Sequence, residues 1–320
     1  MDDLDGKKER RLEELRLEAS RTGQIAGAGY YGLPLLKAPV WTWEIPAYFF
    51  VGGAAGAAAV IGATARAAGA SDALVRDARW IAAAGAAASP LLLISDLGRP
   101  ERFLNMLRVF KVQSPMSVGV WTLVAFSTAA GAAAFADLVD RSSHGRVPIR
   151  VVGNAAEVLS AASGLVLSTY TGVLIGATAI PVWSKNVRLL PLHFGASSVG
   201  AAVSLLELFG HRNAALNRLG TGAAAVETII GLSLEMSGER AMDPIKHGRS
   251  GLVTRAGGIL SGPVPLALRL LAPRSPSARR LAALATLAGS LLTRIGWLEA
   301  GQQSALQPAG ATDRQEGRSS

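Results

Sequence analysis

Residues 44–65 read EIPAYFFVGGAAGAAAVIGATA, and after Glu44 no charged side chain occurs until Arg66. A helix needs about 20 predominantly apolar residues to cross the roughly 30 Å hydrocarbon core of a bilayer. This stretch is long enough, and others like it recur: about Arg79–Asp96, Pro115–Ala136, Val151–Ile175 (with a possible extension to Trp183), Leu189–Phe209, Leu219–Met236, Leu252–Leu271 and Arg280–Leu298. The last two contain Arg255, Arg269 and Arg294. They are kept as spans because intramembrane charges pair or reach toward the interface. No run alternates in polarity, and all far exceed the roughly ten residues of a barrel strand. The expected fold class is therefore all-α, a polytopic membrane protein with about eight transmembrane helices.

Composition agrees. Half of the 320 residues are hydrophobic and only 17% are charged, yet the net charge is +9. The mean hydropathy is +0.32. The charge sits in short connectors between apolar runs, which suits lipid headgroups and orientation signals rather than nucleic acid. Lys and Arg are more numerous on the side of the N-terminus, so both termini are expected in the cytoplasm and the chain in the cell (inner) membrane. A polar leader is expected over residues 1–40, a transmembrane domain over 41–300 and a polar, disordered tail over 301–320. Met1–Arg21 is highly charged and carries no secretory signal.

Local signals add detail. Ser114 and Pro115 have the order of an N-cap and a first helical residue. Trp41, Trp43, Tyr48, Phe49 and Phe50 read as an interfacial aromatic belt. Gly52 and Gly56, and again Gly172 and Gly176, have the small-xxx-small spacing that lets helix backbones approach. There is no cysteine, so the chain supplies no thiolate for an iron–sulfur cluster, a disulfide or a metal. Of four His, only His193 lies in or near a span, where a bis-His haem would need two facing imidazoles. His193 reads as a hydrogen-bonded polar residue at a helix start. Neither a phosphate-binding loop nor a dinucleotide glycine fingerprint stands in a strand–helix context.

The connector between the second and third spans is the most informative: SDLGRPERFLNMLRVFK over 95–111, then QSPMS over 113–117. Gly98 and Pro100 break the helix. Beyond them Phe103, Leu104, Leu107 and Phe110 share one helical face, with Arg102, Asn105 and Arg108 toward others, as in a short amphipathic helix on the membrane surface. Asp96 and Arg99 are spaced to pair across one turn.

This connector resembles the signature of the NrfD/polysulfide-reductase membrane-subunit family: Asp96-Leu97-Gly98-Arg99-Pro100 with Arg102-Phe103, then Asn105-Met106-Leu107-Arg108-Val109-Phe110-Lys111, then Ser114-Pro115-Met116-Ser117. Trp43–Phe50 with Gly52, Gly53 and Gly56, Tyr170–Leu174 through Ala179–Trp183, and Arg294–Gly301 are similar to it as well. The resemblance implies eight helices in two four-helix bundles. It implies electron exchange with membrane quinone (menaquinone or ubiquinone) through a ferredoxin-like iron–sulfur subunit and a molybdopterin catalytic subunit, as in anaerobic respiration, with no haem, cluster or metal in this chain. Formate, polysulfide, thiosulfate and nitrite systems use such subunits, so the terminal substrate stays open, and its active site would lie outside this chain. Carried over, quinone binding falls to Glu44, Tyr48, Asp96, Arg99 and Tyr170. The exposed side of the connector, Arg102, Asn105, Arg108 and Lys111, is expected to dock the partner.

Four carboxylates lie within spans: Glu157, Glu207, Glu227 and Glu235. Such groups are costly in hydrocarbon and face a partner, a cavity or the bundle interior. Glu157 and Glu227 are candidates for a proton relay, against the plainer reading of a carboxyl bonded to a neighbouring helix. Two other functions remain open: a secondary transporter, which would show broken helices and a midplane site, and a passive membrane anchor that binds no quinone.

Overall fold

A computed structural model describes Arg10, Glu13, Leu17 and residues 36–99, 101–142 and 147–306. The polar leader and tail expected from the sequence lie for the most part outside the described residues. The helices are α1 (Glu44–Ala67), α2 (Asp72–Asp96), α3 (Glu101–Met106), α4 (Pro115–Ser142), α5 (Val147–Gly176), α6 (Pro181–Ser184), α7 (Leu189–Leu208), α8 (Ala214–Met236), α9 (Asp243–Lys246), α10 (Gly248–Ser261), α11 (Pro263–Leu271) and α12 (Pro276–Leu306). Among the described residues there is no strand, and the chain is an all-α, multi-pass membrane protein. Six helices are long and apolar enough to cross a bilayer: α1, α2, α4, α5, α7 and α12. The remaining two expected crossings correspond to α8, which carries Arg218, Glu227 and Glu235, and to the pair α10–α11. That pair is broken at Gly262, because Pro263 disfavours a helical residue before it.

The helices form two groups. α1, α2, α4 and α5 pack on one another, and α7, α8, α10, α11 and α12 make the second group. α1 and α5 pack against α7 and join the two. Small residues set the crossings. A Cβ at Gly56 would collide with the Gly164 carbonyl oxygen, so α1 and α5 touch backbone to backbone. Gly172 meets the Leu190 carbonyl in the same way. Ser114 caps α4 as expected, accepting from the Ser117 N–H at 3.4 Å. The expected aromatic belt is corrected. Trp43 is exposed, but Tyr48 and Phe49 are 3% and 1% exposed, and Trp41 stacks on Trp183 at 5.8 Å. These rings face neighbouring helices because α1 lies at the centre of the molecule.

Proline and charge within the apolar runs are accommodated by packing against other helices. Pro90 has no N–H for the Ala86 carbonyl, yet α2 continues through it because Ser127 of α4 donates to that carbonyl at 2.9 Å. Arg79, expected at the start of the second span, lies inside α2, where it pairs with Glu157 at 2.7 Å and Asp137 at 3.1 Å. Arg66 also reaches Glu157, at 2.8 Å. In the second group Glu207 joins Arg269 at 2.7 Å and Arg279 at 2.5 Å. Arg294, fully buried, donates to the Ser197 hydroxyl, to Ser198 Oγ at 3.1 Å and to the Phe194 and Ser290 carbonyls at 3.1 and 3.2 Å. Its guanidinium also lies 4.8 Å from the centre of the Phe194 ring. α12 runs past the expected span end: Gly301–Leu306, placed in the tail by the sequence, are helical, and Gln302 donates to the Pro39 carbonyl at 3.1 Å.

Two stability outcomes are expected in detergent-solubilised protein. Ser127→Ala lowers unfolding free energy by about 1 kcal/mol, the scale of one hydrogen bond. Glu207→Ala leaves two buried guanidinium groups uncompensated and costs about 3–5 kcal/mol. Thermal unfolding followed by circular dichroism ranks them, and equal losses would refute the assignment.

Candidate functional site

The start of α1, the end of α2, the start of α4 and the end of α5 meet on the side of the membrane from which α1 enters. Between them is a small cavity of about 70 Å³. Tyr48, Asp96 and Tyr170 line it, three of the five residues expected to bind quinone, together with Trp41, Phe49 and Met116. Leu97 and Met106 of the connector close its outer side. The walls are otherwise apolar, with Ile45, Leu93, Val120 and Leu174. The Tyr48 hydroxyl makes no hydrogen bond among the described residues. Tyr170 donates to the Pro115 carbonyl at 2.6 Å. Its ring packs against α4, where a Cβ at Gly119 would collide with it.

Asp96 is 6% exposed and is held by Thr42, whose N–H and hydroxyl approach Oδ1 at 3.3 and 2.9 Å. The same hydroxyl reaches Glu44 Oε2, so the two carboxyls are joined through one side chain. A hydroxyl has a single hydrogen to donate. Glu44 thus belongs to the site one hydrogen bond behind the cavity wall. Arg99 does not line the cavity and is exposed. The spacing of Asp96 and Arg99 suggested a pair, but the chain turns at Gly98, with φ +71°, and carries Arg99 outward.

The expected relay carboxyls lie elsewhere. Glu157 precedes Tyr170 by thirteen residues on α5, about 20 Å along the axis, within the Arg66–Arg79–Asp137 ion cluster. Glu227 lies in the second helix group. There Trp297 Nε1–H donates to His193 Nδ1 at 3.2 Å, which leaves the imidazole proton on Nε2, 3.1 Å from Glu227 Oε2. Trp183 Nε1–H donates to the Trp297 carbonyl at 2.8 Å, and Trp41 stacks on Trp183. A line of rings, buried from Trp183 onward, therefore runs from the cavity at Trp41 to Glu227. Arg102, Asn105, Arg108 and Lys111 are all exposed, and Leu104, Val109, Phe110 and Val112 are exposed among them. α3 has only six residues, none buried, shorter than an amphipathic surface helix reaching Phe110 would be. Among the described residues no three His, Asp or Glu side chains converge on a metal-sized site.

Sequence reasoning missed Thr42, Gly119 and Met106. Thr42 sits between two tryptophans that carry the stronger signal, and Gly119 has no partner at small-residue spacing. Met106 is legible in the connector motif, but only the fold turns it inward.

A family model described as "Polysulphide reductase, NrfD" matches residues 35–232. The match covers α1 to most of α8 and includes the whole cavity, while the similar stretch Arg294–Gly301 lies beyond it. A search of curated proteins finds no match.

Gly119→Ala is expected to push the Tyr170 ring off α4 and to cost about 1–3 kcal/mol by overpacking, whereas Tyr170→Phe loses about 1 kcal/mol with its hydrogen bond. Combining Gly119→Ala with Tyr170→Ala should cost less than the sum of the two single changes. Additive losses in thermal unfolding would show that the ring and the glycine do not touch.

Proposed function

The chain belongs to the NrfD polysulphide reductase family, whose members are membrane subunits of oxidoreductase complexes, and from that premise we propose that it exchanges electrons between membrane quinone and an iron–sulfur partner at the Tyr48–Asp96–Tyr170 cavity. One observation carries the reading: the cavity gathers two phenols and a buried carboxyl, and the exposed connector forms its outer wall. A quinone needs an apolar slot, hydrogen-bonding groups for its oxygens, and a titratable group with a route to water. Tyr48 supplies an unused hydroxyl. Asp96 exchanges the proton, with Thr42 and Glu44 behind it as the route outward. The enclosed volume is smaller than a ring head, and Met106 and Met116, flexible and at the mouth, give way as the head enters.

A partner carrying the clusters docks on Arg102, Asn105, Arg108 and Lys111, with Leu104 and Phe110 beside them, placing its electron carrier over the cavity. A molybdopterin subunit beyond it completes the complex, and the chain sits in the cell membrane with its termini in the cytoplasm. Arg99, exposed next to these residues, fits docking better than the quinone. Of the two relay candidates Glu227 fits better, because its partner is an imidazole, the kind of side chain that gives and takes a proton under physiological conditions. Glu157 is held by two guanidinium groups, which do not.

In the isolated complex, Tyr48→Phe and Asp96→Asn should each lower quinone-linked electron transfer by about 100-fold or more, the scale of a lost proton-transfer group. Arg108→Glu should weaken retention of the partner at low salt. Full turnover in both cavity variants, with the chain inserted and the partner bound, would leave a passive anchor. Solute flux into proteoliposomes of this chain alone would leave a transporter.

A further inference from the structure

A second cavity, of about 280 Å³, opens between α8, α10 and α12 in the other helix group, and it crosses the end of the family match. From it we infer a binding site for a lipid-soluble molecule with a hydroxylated ring head, entering from the bilayer. The inference stands on this cavity alone and is independent of what occupies the one at Tyr48.

Three polar atoms in its lining have no hydrogen-bond partner among the described residues. Glu227 Oε2 receives two donors, His193 Nε2–H at 3.1 Å and the Ser261 hydroxyl at 2.7 Å, and leaves Oε1 with none. The buried hydroxyls of Thr254 and Thr293 are equally unpartnered. Buried polar groups in that state are costly. An occupant that donates to Glu227 Oε1 and exchanges hydrogen bonds with the two threonines removes the cost. A phenolic or quinol-type head does both.

The walls and mouth select the class. Leu232 and Ile259, on the outer faces of α8 and α10, are 56% and 52% exposed, so the opening lies toward lipid. A phosphate head is disfavoured because both cations at the mouth are engaged. Arg255 holds Glu235 at 2.6 and 2.9 Å, and Lys246 donates to the carbonyls of Glu235, at 2.8 Å, and Ser237. The volume lies at the lower end of ligand cavities, so it takes a head of one or two rings and leaves a chain outside over Leu232 and Ile259.

Two glycines allow the site to be filled without disturbing its frame. Gly231 and Gly258 line it, and a Cβ at either meets nothing within 4 Å. The test is a titration of the full chain in lipid nanodiscs with heptyl-hydroxyquinoline N-oxide, a fluorescent ring-headed amphiphile, following its quenching. Wild type should take one equivalent at this cavity beyond any bound at Tyr48, and Gly258→Phe and Gly231→Leu should each take one equivalent fewer than wild type. Thr293→Val should weaken one class of site about tenfold, as for one lost hydrogen bond in a dry site. If either filled variant that remains folded by circular dichroism binds as many equivalents as wild type, the inference is overturned. If wild type binds a single equivalent that Gly258→Phe abolishes and Tyr48→Phe leaves unchanged, this site stands and the quinone reading at Tyr48 falls.

Discussion

The guanidinium of Arg294 is buried completely, in the middle of α12, with no carboxylate among the described residues bonded to it. A charge in that setting survives only if dipoles surround it. Ser197, Ser198 and Ser290 turn their hydroxyls to it, and the Phe194 and Ser290 carbonyls accept from it. These contacts fix the register of α12 on α7, since a slide by one residue would leave the charge facing apolar side chains. The same register sets Trp297 against His193, and Gly301 where a Cβ would collide with Trp183. Gly53 lets α1 close over the serines, since a Cβ at that position would strike Ser198 Oγ. Much of the joint between the two helix groups follows from satisfying this one cation.

Charge is used differently at the two ends of the bundle. Where α1 ends and α7 ends, the helices are clamped by ions: Arg66, Arg79, Asp137 and Glu157 in one group, Glu207, Arg269 and Arg279 in the other. Buried ion pairs are weak contributors to net stability but severe when broken, so they define which helix faces which. Where α1 begins, the buried polar groups include Glu44, Asp96, Glu227, His193 and neighbouring hydroxyls, and both cavities lie there. Groups of that kind can gain or lose a proton, or change partner, without stranding a permanent charge.

The ring line from Trp41 through Trp183 and Trp297 to His193 ties the two cavities into one packed unit. The indole N–H groups of Trp183 and Trp297 each have an acceptor, which fixes the orientation of both rings.

The sequence by itself determined the helices. Apolar runs long enough for a bilayer admit no other secondary structure, because every backbone group must be bonded within its own segment. It also marked the connector from Ser95 to Ser117, and the family resemblance carried by that connector pointed to Glu44, Tyr48, Asp96, Arg99 and Tyr170. Arg79, taken from the sequence as a span boundary, lies within its helix because acceptors on other helices meet it, whereas Pro90 and Arg294 lie inside spans as expected, met by a donor and by acceptors that only the fold supplies. Tertiary structure alone decided that Thr42 joins Asp96 to Glu44, that Arg99 points away, and that Glu227 has one oxygen free beside two idle threonines. The reason is geometric. Helix formation depends on residues within a turn of one another, whereas Thr42 and Asp96, and Glu227 and the two threonines, lie tens of residues apart and meet only when the helices pack.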